Sequence, residues 1–181
     1  MDTRQMYAVL RSDKNTAPHL RGVFASDRLP RRVRDYPSAY VVNTDPSNKP
    51  GQHWLAIYFD GEERGEFFDS YGRAPNLYPR PILRFLRRNT RLPWIRNQRQ
   101  IQARLSTTCG QHCLFYLLHR CRNIPMTSIV DMFSSDLELN DVSVAEFIER
   151  HFDIDAPVVD IELVMRQIAR TLEDFDRALN D

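Results

Sequence analysis

An α+β fold follows from three features of the 181-residue sequence. Two runs rich in β-branched and aromatic residues, His53-Trp-Leu-Ala-Ile-Tyr-Phe59 and Glu66-Phe-Phe-Asp-Ser-Tyr71, flank a polar turn and read as a β-hairpin. The run Cys113-Leu-Phe-Tyr-Leu-Leu118 is apolar on all sides, as a central buried helix requires. From residue 80 onward helical signals take over. The predicted architecture is a small mixed or antiparallel sheet packed on that central helix, with Cys109 at the helix N-terminus.

Taken in order, residues 1–36 are polar and Arg-rich, and Arg28 to Tyr36, with Pro30 and four Arg, is expected on the surface. Ser38–Thr44 reads as a strand. Asp45–Gly51 is a loop dense in turn formers. The hairpin follows, with Asp60–Gly65 as its turn. Pro81–Thr90, bounded by Pro79 and Pro93, carries Ile82, Leu83, Phe85 and Leu86 on one side. Arg80, Arg84, Arg87 and Arg91 share the other side at i, i+4, i+7, i+11 spacing. Cys109–Arg122 is the central helix, ending before Pro125. Ser128–Phe133 is a short third helix. Ser143-Val-Ala-Glu146 is a capping-box sequence that opens a fourth helix, running to about His151. The tail places Ile161, Val164, Met165, Ile168, Leu172, Phe175 and Leu179 on one face. That spacing predicts an acidic amphipathic helix capped by Asp160. The division is a domain over 1–152 and a helical segment over 153–181 packed on it.

Composition excludes several classes. A hydrophobic fraction of 42% and an aromatic fraction of 10% argue against disorder. No apolar run approaches the roughly 20 residues of a membrane helix. No signal-peptide core follows Met1, so no membrane association or secretion is predicted. Three Cys make a disulfide scaffold unlike this chain and leave room for a functional thiol. The net charge of +1 hides a sorted distribution. Residues 1–69 hold ten basic and ten acidic side chains, residues 70–130 hold eleven Arg and no acid, and residues 131–181 hold four Arg against fourteen acids. Such asymmetry predicts a polyanionic partner or attraction between two parts of the chain.

Cys109 is the candidate nucleophile. A helix N-terminus offers unpaired N–H groups and partial positive charge, and both favour a thiolate. The Cys109 N–H is then placed to donate to an oxyanion. Cys113 and Cys121, inside the apolar helix, read as small buried fillers. A Cys nucleophile needs a His base oriented by a carboxylate or amide. His19 lies in the polar leader, and His112, His119 and His151 read as structural or surface residues. His53 opens a strand after a Gly-containing loop, where reactive groups are displayed. A hairpin turn centred on Gly61 sets Asp69 opposite His53, although an ordinary strand-end acid is an equal reading. Gln102, seven residues before Cys109, can return an amide to the thiol, but spacing does not separate it from Gln98 or Gln100.

The ordered set His53-Trp54, Phe67-Phe-Asp-Ser70, Gln102 and Cys109-Gly110 resembles the adenovirus-type cysteine endopeptidases. These belong to the wider group of ubiquitin-like-protein-processing cysteine proteases. The order His, Asp, Gln, Cys differs from papain-like enzymes, in which Cys precedes His. The resemblance runs over residues 20–152. It includes Gly22-Val-Phe24 with Asp27, Val41-Val-Asn-Thr44, Gly51-Gln-His-Trp54, Cys109-Gly-Gln-His-Cys113 and Phe147-Ile-Glu-Arg-His151. It implies His53 as base, Asp69 as its orienter, Cys109 as nucleophile, and Gln102 with the Cys109 N–H as oxyanion hole. Trp54 and Gly110 would border the substrate cleft. The implied reaction is hydrolysis of protein or peptide substrates, virion or polyprotein precursors, at small or Gly-containing sites. The implied setting is intracellular, in the host nucleus or the virion, for a virus or virus-derived element.

Adenovirus enzymes are stimulated by DNA and by a disulfide-linked peptide. This chain has no Cys before Cys109, so no disulfide-linked activating peptide is expected. DNA stays a candidate activator, through Arg80, Arg84, Arg87, Arg88 and Arg91. Packing of those arginines on the acidic tail, or simple solvation, are the competing readings. The chemistry calls for no cofactor. No metal site is predicted, because His112, His119, Cys109 and Cys113 share one helix without a second ligand cluster. A monomer is expected. The alternatives are a protease that cleaves ubiquitin-like tails and, in a different class, a nucleic-acid-binding virion protein.

Overall fold

The computed structural model describes residues 1–154 apart from Glu63. The segment 153–181 assigned to an amphipathic helix, with its Asp160 cap, therefore lies outside the described residues beyond Ile154. The elements run α1 (Thr3–Ser12), β1 (Leu20–Ala25), β2 (Ser38–Asn43), β3 (Trp54–Phe59), β4 (Gly65–Phe68), α2 (Arg80–Asn89), β5 (Ile95–Arg96), α3 (Cys109–Arg120), α4 (Met126–Asp131) and α5 (Leu137–His151). The five strands form one sheet in the order β1-β2-β3-β4-β5. The outer pairs β1/β2 and β4/β5 are parallel, and the two inner pairings are antiparallel. The fold is α+β with a mixed sheet.

Both faces of the sheet are buried, which is why β2 and β3 read as continuous apolar runs. Side chains alternate along a strand, so each strand feeds two cores. Ala39, Val41, Ala56, Tyr58 and Phe68 face α3, together with residues of α1, α4 and α5. Tyr40, Val42, Leu55, Ile57, Phe59 and Phe67 face α2, which contributes Ile82, Phe85 and Leu86. Small residues at 39 and 56 suit close packing on the buried helix. Phe68 and Tyr116 stack with ring centroids 4.4 Å apart. Glu66 projects to the same side and accepts from Tyr116 Oη and from Arg120 Nε, the latter at 2.9 Å.

Four expectations change. The leader is not merely polar surface, because α1 buries Met6, Val9 and Leu10 at helical spacing and β1 joins the sheet. Asp2 and Gln5 close a capping box that starts α1. The central helix ends at Arg120, followed by Asn123 at φ 63°. The short helix begins at Met126, directly after Pro125, and stops at Asp131. The last helix begins six residues before Ser143. Asp136 caps it by accepting from the Leu139 N–H, while Ser143 Oγ donates back to the Leu139 carbonyl from inside the helix. A capping-box pattern has the same composition as a helix interior with one back-bonded serine, and the stronger Asp cap upstream decides the start.

Candidate active site

The site lies where the β3 N-terminus, the end of β4 and the α3 N-terminus meet. His53 precedes β3 and follows a loop shaped by Asn43. The Asn43 Oδ1 accepts from the Asp45 and Gln52 N–H groups at 2.9 and 3.3 Å. Gly51 in that loop has φ +97°, and a Cβ there would stand 2.6 Å from Asn43 Nδ2. Only glycine fits both constraints.

Asp69 lies just past β4. Observed pairs Ala56↔Phe68 and Phe59↔Gly65 centre the hairpin on residue 62, not on Gly61. Continuing that register sets Tyr71 across from His53, and Asp69 one diagonal step away on the same face. Tyr71 accordingly stacks on the His53 ring at 4.8 Å, and Asp69 Oδ1 meets His53 Nε2 at 2.7 Å. Asp69 is fully buried, and four donors satisfy its carboxylate. Oδ1 accepts from His53 and the Tyr71 N–H, and Oδ2 accepts from the Arg73 N–H and Tyr78 Oη. Asn97 clamps the Asp69 main chain, accepting from its N–H at 2.9 Å and donating to its carbonyl at 2.6 Å.

Burial alone would raise the Asp69 pKa. Its bonds to His53 and Tyr78 outweigh that and hold it below the ordinary carboxylate value. Burial likewise works against a charged His53, but the Asp69 and Cys109 partners push its pKa up to about 9. With Nε2 held by Asp69, Nδ1 is the ring nitrogen left for the thiol.

Cys109 is the first residue of α3 and is 8% exposed. The first intrahelical bond runs from the His112 N–H to the Thr108 carbonyl, so the N–H groups of 109–111 belong to the unpaired first turn. Burial raises the Cys109 pKa. The hydrogen bond and charge of His53, with the Trp54 and Gly110 N–H groups, offset this and leave it lowered. Both shifts favour a thiolate beside an imidazolium over the neutral pair. Cys113 and Cys121 contrast with it, since burial pushes both thiols up.

Gln102 is fully buried. Its Oε1 accepts from Ser70 Oγ at 2.5 Å and its Nε2 donates to the Ser106 carbonyl at 3.0 Å, in the loop that leads into Cys109. Gln98 is exposed, and Gln100 donates to the Gln102 carbonyl instead. Trp54 lines a cleft of about 690 Å³ together with Phe24, Tyr71, Thr107 and Cys109. Gly110 does not line this cleft. It is buried, and a Cβ there would meet Met1 and Trp54 at 3.4–3.5 Å. Met1, Asp2 and Thr3 form part of the cleft wall, a role nothing in a polar leader signals.

His112, one turn along the nucleophile helix from Cys109, is wholly buried, with Nε2 on Asp141 Oδ1 at 2.8 Å. Burial outweighs Asp141 and lowers its pKa, so it is neutral. Tyr78 and Asn97 carry no sequence signal, because each works through Asp69, nine and twenty-eight residues away, and Ser70 is legible only as the end of the Phe67–Ser70 motif, not as the partner of Gln102.

Arg80, Arg84, Arg87, Arg88 and Arg91 are exposed on or just after α2. The Arg32 guanidinium donates to the Arg88 carbonyl at 2.7 Å, which brings the Arg31–Arg34 segment beside them. Other arginines of the acid-free stretch are engaged internally. Arg99 donates to the Phe133 and Ser134 carbonyls, Arg96 to the Gly72 carbonyl, Arg120 pairs with Glu66, and Arg122 pairs with Asp13. Among the described residues no group of three or more His, Cys, Asp or Glu could hold a metal ion, and no helix is long and apolar enough to cross a membrane.

No protein-family model matches the chain. It is similar to a cysteine protease of African swine fever virus from a Malawi tick isolate, 32% identical over 114 residues, covering 53% of this chain and 38% of that protein. It is also 32% identical over 117 residues to the SUMO-1 cysteine protease of a Kenyan pig isolate, covering 55% and 39% respectively. The crystal structure of the African swine fever virus protease matches with 28% identity and a TM-score of 0.43, covering 59% of this chain and 43% of that one. The chain thus spans about two fifths of the length of the curated relatives it matches. These relatives are viral cysteine proteases, whereas the adenovirus-type proteins stay a resemblance carried by the motifs.

Proposed function

We propose that this chain is a cysteine endopeptidase in which Cys109 is the nucleophile, His53 the acid–base group and Asp69 its orienter. The supporting observation is a thiol at a helix N-terminus, electrostatically coupled to a histidine that a buried carboxylate holds through Nε2 at 2.7 Å. The Cys109 thiolate attacks the scissile carbonyl carbon, forming an S–C bond as the carbonyl electron pair moves to oxygen. The Cys109 N–H, with the Gln102 amide as second donor, stabilises that oxyanion. Collapse breaks the C–N bond as the His53 imidazolium protonates the leaving nitrogen. Water then gives a proton to neutral His53 and attacks the thioester. This releases the acid and restores the thiolate–imidazolium pair.

The substrates we favour are viral precursor proteins cut at small or Gly-containing sites, inside infected cells or virions. Similarity to viral proteases supports this. Processing of ubiquitin-like tails is the second reading, favoured by the SUMO-1 designation of one relative. DNA is a further proposed partner for the exposed arginines of α2. That binding would show little sequence preference and weaken steeply with salt. Segment 153–181 is proposed to act in cis in place of an added activator, and truncation after Phe152 with activity unchanged would refute that.

The deciding experiment compares wild type, Cys109→Ala, His53→Ala and His112→Ala on Gly-containing peptides and a ubiquitin-like precursor, with and without DNA. Cleavage should vanish in the first two variants, while His112→Ala should keep a reduced but measurable rate. Undiminished cleavage by Cys109→Ala would end the proposal.

A further inference from the structure

The geometry points to Asp141 of α5 as the positioning residue for the loop that forms the oxyanion hole, an inference that rests on the cysteine-protease reading above. The loop 103–108 joins the two proposed donors, the Gln102 amide and the Cys109 N–H. Its tip is solvent-facing, with Leu105 99% exposed, so its own packing does not hold it. A single carboxylate bonds both ends instead. Asp141 Oδ2 accepts from the Ala103 N–H at 3.1 Å, and Oδ1 accepts from Thr108 Oγ1 at 2.6 Å.

The bracing continues to the donor itself. Since the Thr108 hydroxyl hydrogen is used on Asp141, Ser106 Oγ donates to Thr108 Oγ1 at 2.7 Å, and the Ser106 carbonyl accepts from Gln102 Nε2 at 3.0 Å. Ser70 holds the Gln102 oxygen, which turns the amide nitrogen toward the loop. Asn140, next to Asp141, donates to the Ile101 carbonyl at 3.1 Å, so the same turn of α5 fixes the chain on the other side of Gln102. His112 completes the site. Neutral and buried, it donates through Nε2 to Asp141 Oδ1, so this pair orients the loop rather than serving as a second base. Asp141 touches no reacting atom. It acts by holding the two oxyanion donors in register.

The test separates oxyanion stabilisation from thiolate formation. Alkylation of Cys109 by iodoacetamide needs the thiolate but forms no oxyanion, whereas peptide hydrolysis needs both. Asp141→Ala is expected to lower kcat by about 10- to 100-fold with KM within about threefold, the scale of a small misplacement of catalytic groups. Its alkylation rate and pH profile should match wild type. Asp141→Asn keeps an oxygen acceptor for Ala103 and should recover most of the rate. If Asp141→Ala fails to fold, Thr108→Val removes only the hydroxyl pin and should show the same split in smaller degree. Parallel loss of alkylation and hydrolysis, or hydrolysis at the wild-type rate, overturns the assignment. Failure of the protease reading is seen separately, as wild-type protein whose hydrolysis survives Cys109 alkylation.

Discussion

Asp69 keeps its charge in a fully buried position because four donors converge on it, and that charge sets the state of the other two groups. His53 is raised to about 9 and Cys109 is lowered, so the active ion pair occupies the window between them. Activity should fall on the acid side as the thiolate takes a proton and on the alkaline side as the imidazolium loses one near pH 9. The stability signs follow. The His53 contribution is full below its ordinary value of 6.5 and is lost as pH rises through about 9. The Asp69 contribution is present above 3.8 and is lost as pH falls through its depressed value. Asp69→Asn should therefore move the alkaline limb of a pH–rate profile to lower pH and reduce the thiolate signal in ultraviolet absorbance. An unmoved limb would show that another group holds the imidazolium. The residues themselves were legible as candidates by type and local context. Their partners Tyr71, Tyr78 and Asn97 were not, because hydrogen bonds formed across the fold leave no trace in spacing.

At the element scale, caps and loops decide where the chemistry is presented. The start of α5 offers a clean comparison. Asp136→Ala should cost about 1 kcal/mol of stability as an N-cap loss, while Ser143→Ala inside the helix should be neutral or slightly stabilising. Chemical denaturation reads both, and the reverse order would restore the later helix start. Gly51→Ala forces a side chain at φ +97° against Asn43 and should destabilise by more than about 1 kcal/mol, with hydrolysis falling as His53 shifts. Unchanged activity in that variant would mean that the loop does not set the histidine. The hairpin was readable from its composition, but its register was not. Turns around Gly61 and around residue 62 leave the same residues on each face, and the observed one is closed by Asp60 Oδ1 accepting from the Glu62 and Arg64 N–H groups. Helix α1 was missed because three buried apolar positions in ten residues are a weak signal without the core they enter.

At the scale of the molecule, the sheet is held between α2 on one face and α3 with its neighbours on the other, and Glu66 ties the sheet to α3. Glu66→Ala would leave the Arg120 guanidinium without its carboxylate at a mostly buried position, a change on the order of 3–5 kcal/mol. A thermal melt tests this, and a loss under about 1 kcal/mol, the worth of an exposed pair, would place the ion pair among surface interactions. The acid-free stretch also divides at this scale. Its arginines at 96, 99, 120 and 122 serve internal carbonyls and carboxylates, while those of α2 face solvent. The sequence by itself determined the α+β class, the buried central helix and the placement of Cys109 at its tip, because periodicity and helix boundaries are local properties of the chain. The motif order already names His53 and Asp69 as candidates, and only the tertiary structure shows the contact between them and the partners that hold it. His53 and Asp69 come from the end of the sheet, Cys109 from a helix beneath it, and Asp141 from another helix behind. Their encounter depends on how layers stack, and the stacking is driven by burial of both sheet faces rather than by the spacing of the polar residues it brings together.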